Sequence, residues 1–115
     1  MILNKTQTLV TDADVAWEDL GGGVKRKIMA YDEQMMIVKV AFKAGGIGAM
    51  HSHRHTQASY IDSGEFDITI DGITKRLQAG DVYFVPSGLE HGAVCISAGV
   101  LIDTFHPLRE DFIQS

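Results

Sequence analysis

In "EFDITI" (65–70), apolar Phe66, Ile68 and Ile70 alternate with Glu65, Asp67 and Thr69. A period of two is that of a β-strand with one buried face, because successive side chains leave the strand on opposite sides. Asp71-Gly72 follows, a pair that tolerates the positive φ angles of a two-residue hairpin turn, and "ITKRLQ" (73–78) supplies the returning strand. Similar short runs recur along the chain: "VKRKIMAY" (24–31), "MMIVKVAF" (35–42), "AMHSH" (49–53), "QASYI" (57–61), "DVYFVP" (81–86), "GAVCIS" (92–97) and "VLIDTFH" (100–106). No segment carries a sustained helical period, and the tail "PLREDFIQS" (107–115), opened by Pro107, allows one or two turns. Many short strands parted by turn residues describe an all-β antiparallel sandwich or barrel. At 115 residues this is a single domain, long enough to bury a core without staples.

Charge and composition narrow the functions available. A net charge of −5 offers no basic face to a phosphate backbone, so no nucleic-acid partner is expected. No apolar run approaches the length that spans a bilayer, so no membrane partner is expected either. The N-terminal "MILNKTQTLVTDADVAW" lacks a charged region followed by a sustained apolar one, which reads as no signal peptide and a cytoplasmic protein. Cys95 is the one cysteine, which excludes an internal disulfide and a cysteine-based zinc site. It reads as a small buried strand residue. Any metal must be held by nitrogen and oxygen.

The segment "GGIGAMHSHRHTQASYIDSG" (45–64) holds three histidines and a glutamine between glycines. On one extended strand His51 and His53 would share a face, so that their imidazoles converge. Gln57, at the start of the next strand, could offer its amide oxygen to the same point, and His91, after the Pro86–Gly88 turn, supplies a fourth ligand from a distance. His55 reads as a loop residue with a structural or supporting role, and His106, before Pro107, as surface. Arg54 and Tyr60 flank the cluster and read as structural; strand parity turns Tyr60 away from Gln57.

The spacing Gly45-x5-His51-x-His53-x3-Gln57-x6-Gly64 resembles the first motif of the cupins, with glutamine where most carry glutamate. The spacing Gly80-x5-Pro86-x-Gly88-x2-His91-x3-Cys95 resembles the second, with Cys95 where that motif usually ends in asparagine. The resemblance implies a single-domain cupin, a small jelly-roll-like barrel of the double-stranded β-helix type. It also implies a divalent metal held by His51, His53, Gln57 and His91. Three imidazoles and an amide oxygen do not choose among zinc, nickel, manganese and iron. A neutral glutamine cancels none of the cation's charge, which suits an anionic substrate oxygen and Lewis-acid chemistry.

In "VLIDTFH", Asp103 shares a face with Leu101 and Phe105. Two readings stand from the pattern alone: all three face solvent, or an acid and an aromatic ring line the interior with Arg109 near by. From "WEDLGGGVKRKIMAYDEQMM" through both motifs to "LIDTFHPLREDF" the chain is similar to the KdgF-type cupins of pectin and alginate breakdown. That resemblance implies opening of the ring of 4,5-unsaturated uronate monomers to a linear keto acid. It makes Asp103 the general acid/base, Arg109 the carboxylate clamp and Phe105 the packing surface for the sugar. Residues 17–115 then form the cupin domain and residues 1–16 a variable extension. A homodimer is expected, with "MMIVKVAF" a candidate edge. Rival readings are a metal-dependent dioxygenase and a non-catalytic sugar-acid-binding cupin.

Overall fold

The computed structural model describes residues 8–113. After a 3-10 turn at Asp12–Asp14 come strands β1 (Glu18–Gly21), β2 (Val24–Tyr31), β3 (Met36–Phe42), β4 (Ile47–His51), β5 (Thr56–Ile70), β6 (Ile73–Gln78), β7 (Val82–Val85) and β8 (His91–His106), then one turn of helix, α1 (Glu110–Ile113). Every pairing is antiparallel. The all-β reading of the sequence is borne out, and the Asp71-Gly72 turn closes its hairpin with both residues at positive φ, 51° and 80°. No helix among the described residues is long and apolar enough to cross a membrane.

Two strands organise the rest. β5 and β8 pair along nearly their whole length, from Thr56 opposite His106 to Ile70 opposite His91. Near its middle each bends and passes from one layer to the other. The first half of β5 lies between β7 and the second half of β8, which continues through β3, β2 and β1. The second half of β5 lies between β6 and the first half of β8, whose other side takes β4. The sequence reads each long strand as two, because "DSG" (62–64) and "SAG" (97–99) resemble turns. They are bends instead. The register slips between Ile61 and Phe66, and the chain keeps its direction. A glycine is required there: Gly64 has φ 83°, and a Cβ on Gly99 would run into the Ser63 carbonyl.

Inward residues of the first layer stack in rungs: Met36, Phe105 and Gln57; Val38, Asp103 and Ser59; Val40, Leu101 and Ile61. Apolar clusters hold both ends, Phe42, Ile61, Phe66 and Leu101 at one and Met36, Val38, Phe105 and Leu108 at the other. Phe42 and Phe66 meet edge to face at 5.2 Å. The middle rung therefore puts a carboxyl and a hydroxyl inside the barrel. Cys95, 1 % exposed, is the buried strand residue expected.

β3 has β2 on one side and β8 on the other, so "MMIVKVAF" is not an edge; the order along the sheet makes β1 and β6 its ends. β1, with all four residues exposed, carries no alternation that the sequence could reveal. Of the proposed extension, residues 1–7 lie outside the described residues, while Asp12 is tied to the barrel by Lys39 at 2.8 Å and by buried Lys27 at 3.3 Å. α1 is one turn, within the one or two allowed, but it starts at Glu110 and not at Pro107, and residues 114–115 lie outside the described residues.

The bend gives a direct test. Gly99→Ala should cost roughly 3 kcal/mol, a fall of about 10 °C in Tm, because backbone faces the new methyl group. Gly48→Ala, whose Cβ would meet Ala93 at an ordinary 3.8 Å, should stay within about 1 kcal/mol of the parent. Equal melting temperatures for the two variants would contradict the tight crossing of β5 and β8.

Candidate active site

Three histidine rings meet inside the barrel mouth. β4 ends on His51, which its register places opposite His91 at the start of β8. His53 lies two residues beyond the end of β4, just before the bend at Arg54 and His55 that leads into β5. The ring centroids are 5.3 Å apart for His51 and His53, 4.3 Å for His51 and His91, and 4.8 Å for His53 and His91. One nitrogen from each lies within 4.8 Å of the others. Gln57, buried near the start of β5, brings Oε1 to 3.0 Å from His53 Nε2. All four residues singled out as ligands thus come together.

Their hydrogen bonds decide what they present. Nδ1–H of His51 donates to the Ala49 carbonyl at 2.8 Å, that of His53 to His55 at 3.0 Å, and that of His91 to Leu89 at 2.9 Å. Each bond fixes the tautomer and turns a lone pair on Nε2 inward. His91 Nε2 is buried with no hydrogen-bond partner among the described residues. Burial lowers the His53 pKa, with the Arg109 charge adding to it, and burial likewise lowers that of His91, with the other histidines adding. A neutral His53 has used its one N–H on the His55 carbonyl, so its Nε2 and the Gln57 oxygen face each other as two lone pairs. A cation between them removes that conflict. Two adjacent ligands about 2.1 Å from one ion, at a right angle, stand about 3 Å apart. The nitrogen and oxygen set therefore fits a divalent metal, whose identity these ligand types leave open.

Beside it lies the acid. Asp103 faces inward with Leu101 and Phe105, which settles the parity question in favour of the interior. Ser59 Oγ donates to Asp103 Oδ1 at 2.6 Å and accepts from Gln57 Nε2 at 3.0 Å. Burial raises the Asp103 pKa to about 6, against the Ser59 hydrogen bond and the Arg109 charge, both of which lower it. Tyr83, close to Ser59 and Asp103, has its phenol pushed upward by burial first and by the Asp103 charge second.

Arg109 closes one side. Its guanidinium lies 4.3 Å from the Phe112 ring centre and 5.1 Å from that of Phe105. Nε and Nη2 are held by the Asp111 carboxylate at 3.1 and 2.9 Å, so the edge left for a ligand is the one at Nη1. Arg26 from β2 also lies over Phe112, at 4.0 Å, and pairs with Glu18. Phe105 is buried and stands edge-on to His53 at 5.8 Å. Arg26, Phe105, Arg109 and Phe112 line one cavity of about 180 Å³ with His51, Gln57, His91 and Asp103. A wider groove beside the Gly21–Gly23 turn contains none of the histidines.

The flanking residues divide as their exposure dictates. His55 is buried, packs edge-on to His53 at 5.5 Å and meets Glu110 at 3.3 Å, while Arg54 reaches the same carboxylate from the surface. Tyr60 faces outward at 44 % exposure, and His106 is exposed. Ser59, Tyr83, Arg26 and Phe112 were not singled out from sequence. Ser59 was within reach, since residues 57 and 59 of one strand must share a face. Arg26 and Phe112 meet only through the tertiary fold.

Residues 38–105 match the family model for the cupin domain. Over 104 residues the chain is 42% identical to the pectin degradation protein KdgF of Dickeya dadantii, covering 89% of this chain and 94% of that protein. Among solved structures, an RmlC-like cupin from Shewanella frigidimarina is 44% identical, with a TM-score of 0.94 over 96% of this chain and 100% of that one. KdgF from Halomonas sp. is 34% identical, with a TM-score of 0.90 over 94% of this chain and 100% of that one.

The buried acid has a signature in stability. Because folding raises the Asp103 pKa, the folded protein holds this proton more tightly than the unfolded chain. Stability then falls as pH rises from the unfolded value near 4 through the folded value near 6, and levels off above. In metal-free protein, Asp103→Asn should therefore stabilise by up to about 3 kcal/mol at pH 7.5, with the gain gone by about pH 3.5. A difference between the two proteins that does not change with pH would contradict the burial of an ionisable carboxyl here.

Proposed function

This chain belongs to the cupin family and to its KdgF-type members, and on that premise we propose that it opens the ring of 4,5-unsaturated uronate monomers. The observation that carries the reading is a single cavity lined by His51, Gln57 and His91 of the cation-fitting set and by a buried carboxyl whose pKa is about 6. A volume of about 180 Å³ lies below the roughly 300–1,000 Å³ of sites for larger organic ligands, which favours one sugar ring over an oligosaccharide.

The substrate is at once a hemiacetal, an enol ether and a carboxylate. Ring opening removes the proton of the anomeric hydroxyl, breaks the bond from C1 to the ring oxygen and delivers a proton to C4. The product is an isomer with an aldehyde at C1 and a ketone at C5. His51, His53, Gln57 and His91 would hold a divalent cation, which when bound supplies Lewis-acid polarisation of substrate oxygens without any charge cancelled by its ligands. Asp103 takes and returns the proton, and a carboxyl titrating near 6 can do both close to neutral pH. Ser59 holds that carboxyl in place. The Nη1 edge of Arg109 meets the substrate carboxylate as one edge of the fork, since Asp111 holds the other. Phe105 forms the apolar wall behind the ring. The substrate and this division of labour are inferred from family membership and site chemistry together.

Proton NMR of an unsaturated galacturonate with the metal-loaded protein should show loss of the vinyl C4 proton and growth of the linear keto acid. Asp103→Ala should slow this by about 10²–10⁴-fold while one metal per chain is retained. His91→Ala should lose both metal and activity. No ring opening by the parent protein would overturn the proposal, and substrate-dependent oxygen uptake would replace it with a dioxygenase.

A further inference from the structure

Gln57, Ser59 and Asp103 form a chain of hydrogen bonds whose direction is fixed. The Gln57 amide nitrogen can only donate, so Ser59 Oγ accepts from it at 3.0 Å. The hydroxyl has one proton, and it goes to Asp103 Oδ1 at 2.6 Å. With its nitrogen committed to Ser59, the amide turns its oxygen to His53 Nε2 at 3.0 Å. Gln57, Ser59 and Asp103 are 4, 2 and 8 % exposed, so none of them can exchange its partner for bulk water. The chain is built into the register, which sets Ser59 opposite Asp103 and Gln57 opposite Phe105.

A glutamate at position 57 would break this order. Its carboxylate has no proton to give the Ser59 oxygen, and it would compete with Asp103 for the single hydroxyl proton. We infer that Ser59 is a positioning residue that transmits the proton demand of Asp103 to position 57, so that this position must hold an uncharged amide with its oxygen toward the three imidazoles. The inference rests on the metal-site reading above and deepens it. The neutral ligand is then a consequence of having the acid next door. On charge alone a carboxylate would tighten a divalent cation, yet here it is the wrong ligand as long as residue 103 is an ionised carboxylate. With asparagine at position 103 the chain can reverse: that amide donates to Ser59, and the hydroxyl proton turns to a carboxylate at position 57.

The test measures zinc affinity of the full chain, by competition with a chromogenic chelator, across combinations of Gln57→Glu, Asp103→Asn and Ser59→Ala. Ser59→Ala should weaken zinc by about 10–100-fold while the protein still melts cooperatively. Gln57→Glu should tighten zinc about tenfold more beside Asp103→Asn than beside the native acid. That excess should drop below about threefold once Ser59→Ala is added. Parent-like zinc affinity in Ser59→Ala would overturn the inference. So would an effect of Gln57→Glu that ignores residue 103, or an excess that survives Ser59→Ala. If the parent protein binds no zinc, nickel, manganese or iron, the metal reading fails by itself. Melting temperatures of the same metal-free variants then decide the chain: Gln57→Glu should lower Tm by several degrees beside Asp103 and by less than about 2 °C beside Asp103→Asn.

Discussion

The pairing of β5 with β8 decides where every reactive group stands. Its register sets Gln57 beside Phe105, Ser59 beside Asp103 and Ile70 beside His91. Both strands bend together where Gly64 meets Ser97 and Gly99, so one continuous pair serves both layers and curves round the cavity between them. β4 then lies against β8 and lays His51 opposite His91. A slip of one residue in this pairing would set Asp103 on the opposite face of the sheet from Ser59 and Gln57 and part the three. The site and the fold are specified by the same hydrogen-bond ladder.

Inside that frame, polar groups are held by direction as much as by distance. Three backbone carbonyls take the Nδ1 protons and so aim three Nε2 lone pairs inward. Ser59 accepts a proton from the Gln57 amide and gives its own to Asp103, which orders the two side chains on either side of it. Desolvation of Asp103 works against stability near neutral pH, and in return leaves a carboxyl able to carry a proton there. Arg109, stacked on Phe105 and Phe112 and anchored by Asp111, lowers the His53 and Asp103 pKa values from a fixed position.

Much of this was legible in the sequence, for local reasons. Alternation in "EFDITI" and the Asp71-Gly72 pair specify a hairpin without help from the rest of the chain, and the parity that groups Leu101, Asp103 and Phe105 is equally local. Which way that face turns is not local, since it depends on what β3 and β5 place against it. Serine and glycine at 62–64 and 97–99 carry the same signal for a bend as for a reversal, and only cross-strand pairing tells them apart. His53 meets His51 as its spacing of two suggests, although the ladder of β4 ends at His51. The resemblance makes Arg109 a carboxylate clamp, but nothing in the sequence shows that Asp111, two residues on, already holds two of its donors.

The most direct measurement is anomalous diffraction from crystals of the protein grown with zinc. The account predicts one strong peak about 2.1 Å from Nε2 of His51, His53 and His91 and from Oε1 of Gln57, with the amide nitrogen still on Ser59. A cavity with no peak at saturating zinc, or a metal bound with the Gln57 amide reversed or swung away, would contradict it.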